Sequence, residues 1–71
     1  MDPFEELANG IVLQAVKDYR EALKMLRRNN RYSPARQMRD DCEHFFTSEW
    51  FSALTKIDGP ALMRKLNEEA A

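Results

Sequence analysis

The sequence predicts an all-α fold: a long N-terminal helix packed against three shorter helices that fold back along it. Three observations carry this prediction. Apolar residues recur at steps of three and four through most of the chain. No segment alternates with the period of two that marks a half-buried strand, and β-branched residues are few. Helix-stopping and helix-starting residues cluster at "NNRYS", "TS" and "DGP". At 71 residues the chain, 1–71, is expected to be a single domain.

The first helix is predicted over about residues 3–29. Phe4, Ala8, Ile11, Val12, Ala15, Val16, Tyr19, Ala22, Leu23 and Leu26 lay one apolar stripe along it. Asp2 can cap its N-terminus with Pro3 at the first helical position. Asn9-Gly10 is the weak point, because an interior glycine costs about 1 kcal/mol relative to alanine. The helix is therefore either continuous or begins at Gly10 behind a short lead-in turn. Asn29 and Asn30 suit a left-handed C-terminal position. Ser33 is the expected cap of a second helix over about 34–46, with Pro34 at its first position. That helix carries Ala35, Met38, Cys42, Phe45 and Phe46 on one face. Thr47 or Ser48 caps a third helix over about 48–56, with Trp50, Phe51, Leu54 and Ile57 on its stripe. Asp58 caps a fourth over about 59–68, and Pro60 falls in its first turn, where a missing N–H costs nothing. Glu68 and Glu69 lie at the negative end of that helix, so its last residues are expected to fray.

A chain this short is marginal without a dense core or another staple. Cys42 is the only cysteine, so no disulfide can form within one chain. The predicted core is Val12, Val16, Tyr19, Leu23, Leu26, Met38, Cys42, Phe46, Trp50, Phe51, Leu54, Leu62 and Leu66. The aromatic cluster Phe45, Phe46, Trp50 and Phe51 is read mainly as core filling; adjacent rings cannot both point at one centre, so whether one ring is left on the surface for a partner stays open, with Phe45 the leading candidate. On that reading Trp50→Ala costs ~3–5 kcal/mol.

Hydrophobic residues make up 44% and charged residues 32%, a globular composition. No apolar run exceeds three residues, so no membrane contact is expected. "MDPFEELANG" starts acidic and lacks an apolar core, so no secretory signal is expected and the expected location is cytoplasmic. No Gly-rich phosphate loop, nucleophile elbow or carboxylate dyad is visible. Cys42 and His44, two positions apart on a helix, face different ways and make no nucleophile–base pair. His44 is one turn beyond Asp40, which reads as an exposed pair; a metal site there would lack further ligands. The protein is accordingly expected to be no enzyme and to need no cofactor or metal.

Net charge is −1, which argues against a strong general affinity for nucleic acid. Its distribution is uneven. Lys24, Arg27, Arg28, Arg31, Arg36 and Arg39 are uninterrupted by acids, and Asp40, Asp41, Glu43 and Glu49 follow without Lys or Arg. Arg27, Arg28, Arg31, Arg36 and Arg39 are the candidate contacts for an acidic protein partner or for nucleic acid. Read as a helix-turn-helix, Arg36, Gln37 and Arg39 would face a groove, but the acids that follow would then sit near phosphates. The plain alternative is a solvated basic face pairing with the acids of the second helix.

The strings "GIVLQAVKDYREALKML" and "FFTSEWFSALTKIDGPALMRKL" resemble small helical proteins encoded by phages and integrative mobile elements of gut-type Firmicutes, with a pattern near "FFxSxWFxxLTxxDGxxLIxxL". The match runs through Phe45, Phe46, Ser48, Trp50, Phe51, Leu54, Thr55, Asp58, Gly59, Leu62 and Leu66. It departs at Pro60, where an acid is common, and at Met63, where an aliphatic residue is expected. The resemblance implies a mobile-element source and no assigned chemistry. The functional expectation is a non-enzymatic protein that binds a protein partner. A nucleic-acid binder using the Arg-rich elbow is the alternative, and homodimerisation through apolar surface on the first or third helix is the third.

Overall fold

The computed structural model describes residues 2–70. Among them are four helices and no strand: α1 (Pro3–Arg28), α2 (Ser33–Phe46), α3 (Glu49–Leu54) and α4 (Gly59–Ala70). The all-α architecture, with a long first helix against three shorter ones, is as the periodicity predicts. The long dimension, 41 Å against 20 and 19 Å, is that of α1, whose 26 residues at ~1.5 Å each account for nearly all of it.

Local chemistry sets each boundary. Asp2 caps α1 by accepting the Phe4 N–H at 3.0 Å, with Pro3 next. The helix runs unbroken through Asn9-Gly10, settling that alternative in favour of continuity. At its far end Asn29 is extended (φ −148°), and no described residue takes a positive φ. The left-handed position expected at Asn29 or Asn30 is therefore not used. The asparagine closes the turn another way: its carbonyl accepts from Tyr32 N–H (3.2 Å) and its side chain from Arg31 N–H (3.1 Å). The α2 ladder then starts one residue earlier than expected, at Tyr32, whose carbonyl accepts from Arg36 N–H at 3.1 Å. Ser33 is thus inside the first turn, and no side chain caps it.

One hydroxyl joins α2 to α3. Ser48 Oγ donates to the Phe45 carbonyl at 2.7 Å and accepts from Phe51 N–H at 3.1 Å, stopping one helix and capping the next. α3 ends at Leu54, earlier than expected, because Thr55 is extended and its Oγ1 accepts from Ile57 N–H. Ile57, expected on the α3 stripe, therefore falls in the connecting turn and is exposed. Asp58 caps α4 through Ala61 N–H at 3.2 Å. The expected fraying is not seen, and α4 is helical to Ala70. Ala70 packs against the core, and Arg20 holds both Glu69 carboxylate oxygens at 3.0 and 3.1 Å.

The core gathers Val12, Tyr19 and Leu23 from α1, Cys42 and Phe46 from α2, Phe51 from α3 and Leu66 from α4. Val16, Met38, Leu54 and Leu62 pack against it partly buried, as does Phe45. Leu26 is half-buried and lies outside this cluster. Phe4, at the start of the predicted stripe, is exposed. Trp50 requires the main correction, being 58% exposed while Phe51 is 1% exposed. Adjacent residues on a helix diverge by ~100°, so only one of the two can enter the centre. Phe51 takes it, and Trp50 lies at the rim with its ring 5.3 Å from that of Phe45. Phe45, the leading candidate for a ring left on the surface, is instead wedged among Phe46, Phe51 and Trp50.

A polar knot ties three helices at the centre. Tyr19, fully buried, donates its hydroxyl to Glu43 at 2.8 Å and accepts from Asn67 Nδ2 at 2.8 Å. Burial, and next the Glu43 carboxylate, push the phenol up to about 12 from 10.0. A raised folded value means a contribution fully present below the unfolded pKa and lost as pH rises through the folded one. Tyr19→Phe should cost about 1 kcal/mol at neutral pH. Wild type should lose that margin progressively between pH 10 and about 12. Urea titrations of both proteins across that range check this; a difference between them that stays constant to pH 12 would count against the knot.

Candidate partner-binding groove

The basic elbow flanks the turn between α1 and α2. Arg27, Arg28, Arg31 and Arg36 are exposed, and Arg39 is half-buried with its guanidinium on Asp40 at 3.1 Å. Arg27 and Arg39 line a cleft of about 380 Å³ between α1, α2 and α4, which Glu43 and Asn67 also line. The expected pairing of this basic face with the α2 acids is limited to Arg39–Asp40; among the described residues the other ion pair is Arg20–Glu69. Asp40 thus bonds its neighbour Arg39 rather than His44. The described residues contain no group of three or more side chains placed to hold a metal ion.

A different surface is better built. α4 packs on one side of the α1–α2 pair, through Leu66 and the Tyr19–Asn67 bond. A separate groove of about 330 Å³ is lined by Ile11, Gln14, Ala15 and Asp18 of α1, Asp41, Cys42 and Phe45 of α2, and Trp50 of α3. Its lining is mostly apolar, and Trp50 forms one wall. Its polar groups are fixed by two amide–carboxylate pairs, one per helix, each spanning one turn. Gln14 Nε2 donates to Asp18 at 2.9 Å, and Gln37 Nε2 donates to Asp41 at 2.8 Å. Neither carboxylate is in an ion pair among the described residues.

Cys42 sits in the wall of this groove, 8% exposed, its Sγ 3.7 Å from the Ala15 carbonyl oxygen. Burial pushes the thiol up to about 11, helped by the negative charges of Asp18, Asp41 and Glu43. At neutral pH it is a protonated small apolar residue, not a nucleophile.

The groove is not visible as a site in the sequence. Periodicity assigns Trp50 to the core, and Asp41 stands out only as part of an outward-pointing acidic run. The signal that could have located it is the matched Gln-x-x-x-Asp spacing in both helices, "QAVKD" and "QMRDD", which arms each side of one seam with an anchored carboxylate. No family model, curated protein or solved structure matches the chain.

Proposed function

We propose that the protein acts by binding a protein partner through the groove between α1 and α2, and catalyses no reaction. The observation that carries this reading is Trp50. A chain with so small a core leaves its single tryptophan 58% exposed beside an apolar groove. Tryptophan is the residue type most enriched among interface hot spots, where burial of its ring by a partner recovers the hydrophobic free energy that exposure forgoes. The resemblance of "FFTSEWFSALTKIDGPALMRKL" to helical proteins of phages and integrative elements supports an accessory role in such an element. No described helix is long and apolar enough to cross a membrane.

The test compares wild type with Trp50→Ala as bait in a host extract, followed by titration of the purified pair. A protein held by wild type should bind the variant at least tenfold more weakly, the loss typical of a hot-spot residue. Purified binding unaffected by the substitution would defeat the reading. So would turnover of a substrate abolished by a point mutation that leaves the fold intact.

Nucleic-acid binding is the second reading, and one observation favours it: Arg27, Arg28, Arg31 and Arg36 are exposed without an ion-pair partner among the described residues. Glu43 and Asp40 beside Arg39 weigh against it. A mobility-shift titration decides, since phosphate contacts strengthen steeply as salt falls. Absence of retardation at ~50 mM salt removes this reading.

A further inference from the structure

With the groove taken as a protein-binding site, the reading on which the inference rests, its chemistry narrows the occupant. Along α1 the lining changes character. Ile11 stands at one end, Ala15 one turn on, and Asp18 two turns on, about 10 Å from Ile11 at ~1.5 Å per residue. α2 runs the other way beside it, with Phe45 at the Ile11 end and Asp41 at the Asp18 end, the two helices meeting at Ala15–Cys42. Trp50 joins Phe45 and Ile11 at the apolar end. One end of the trough is therefore three apolar side chains, and the other is two carboxylates.

Those carboxylates are held rather than loose. Each accepts from a glutamine one turn earlier on its own helix, which restrains its rotamer, and its second oxygen has no hydrogen bond among the described residues. No lysine or arginine lines the groove, and no described cation pairs with either acid. The negative field reaches the groove wall, since Asp18 and Asp41 both help to hold the Cys42 thiol protonated. Two pre-oriented carboxylates beside apolar surface suit a cationic side chain whose methylene stem lies on that surface. A seam between two helices accepts a third helix laid along it.

We propose that the partner presents a basic amphipathic helix, with an aliphatic residue seated against Trp50, Phe45 and Ile11, and a lysine or arginine about two turns away between Asp18 and Asp41. Complementarity of charge selects this occupant over an acidic helix. A second copy of the chain is disfavoured by geometry rather than by charge. On the outer face of α1 the chain does carry exposed Leu13, Lys17 and Arg20, but Arg20 is already committed to Glu69. A contact between that face and this groove would join two different surfaces, which extends into rings or filaments rather than closing as a pair.

The experiment uses the full chain and three synthetic helical peptides with identical leucine spacing, whose polar positions are lysine, glutamine or glutamate. Trp50, as the only tryptophan, reports occupancy by a blue shift of its emission. The lysine peptide should bind, and its affinity should fall as salt rises. Asp18→Asn/Asp41→Asn should weaken it at least tenfold. Glu68→Gln, an exposed acid on α4, should leave it unchanged. Circular dichroism of each variant confirms that the fold is retained.

Equal binding of the glutamine or glutamate peptide, or affinity unaltered in the double variant, overturns the cationic partner. Binding that is nonetheless lost in Trp50→Ala, read by calorimetry because that variant has no tryptophan, keeps the groove as a protein site. Self-association in sedimentation that Trp50→Ala abolishes, without peptide binding, assigns the groove to a second copy and also overturns the inference. Failure of all three peptides to move the Trp50 signal overturns it as well. The broader reading falls only when a purified partner binds Trp50→Ala as tightly as wild type.

Discussion

Gly59→Ala should destabilise the fold by about 3 kcal/mol or more, while Gly10→Ala should stabilise it by about 0.5–1 kcal/mol. Helix propensity alone would have both substitutions stabilise, since both glycines lie in helices and alanine is the better helix former. The surroundings separate them. Gly59 opens α4 directly on the end of α2. A Cβ there would overlap the Phe46 carbonyl oxygen and stand 2.9 Å from its carbon, with the Phe51 ring at 3.4 Å. The obstacle is backbone, which cannot rotate away as a side chain could, so α4 itself would have to move. Moving α4 loosens Leu66 in the core and the Asn67 bond to Tyr19. At Gly10 a Cβ would meet nothing within 4 Å, so only the backbone-entropy gain remains. Urea denaturation followed by circular dichroism reads both. Gly59→Ala at or above wild-type stability would mean that α4 does not approach α2 so closely.

Phe46→Ala should cost ~3–5 kcal/mol, and Trp50→Ala about 1 kcal/mol. Phe46 is 1% exposed and meets Tyr19 and Phe51 edge-on, with ring centroids 5.6 Å away in each case. Removing it opens a cavity among rigid rings, a loss comparable with the whole stability of many small domains. Should Phe46→Ala fail to fold, Phe46→Leu, which keeps most of the volume, measures the same site with a smaller loss. Trp50 touches the cluster through Phe45 alone among the aromatic pairs, and its outer face already meets water. A loss of ~3 kcal/mol or more for Trp50→Ala would return the indole to the core and remove the main support for a binding groove.

The contrast between these two rings shows where the sequence is informative. Helix starts and stops are local chemistry, so Asp2, Ser48 and Asp58 can be read as caps without knowing the fold, and all three act as caps. Periodicity identifies Val12, Tyr19, Leu23, Cys42, Phe46, Phe51 and Leu66 as inward-facing for the same reason. Spacing is blunter where apolar residues are adjacent. Phe45-Phe46 and Trp50-Phe51 each offer two rings to one centre. The choice in α3 is made by the direction in which Ser48 launches the helix, which no repeat of three and four encodes. The groove depends on which flank of α1–α2 is covered by α4, a tertiary outcome. The role of Gly59 is equally hidden, because "DGP" reads as a turn signal whether or not anything lies against the glycine.

The long reach of α4 also bears on the order in which the molecule assembles. α1 and α2 meet across a short turn and can zip from it. α4 is held by partners far away in the chain, Asn67 to Tyr19 across 48 residues and Glu69 to Arg20 across 49. Closing a longer loop costs more chain entropy, so the α1–α2 hairpin should form first and α4 should arrive last. By the same reasoning α4 is the segment that leaves first, and its amides should exchange with solvent deuterium ahead of those in the middle of α1 and α2. A molecule with α4 detached would display Tyr19, Phe46 and Phe51 together. Excursions of that kind, rather than complete unfolding, would then set how readily this small protein aggregates or is cut by proteases.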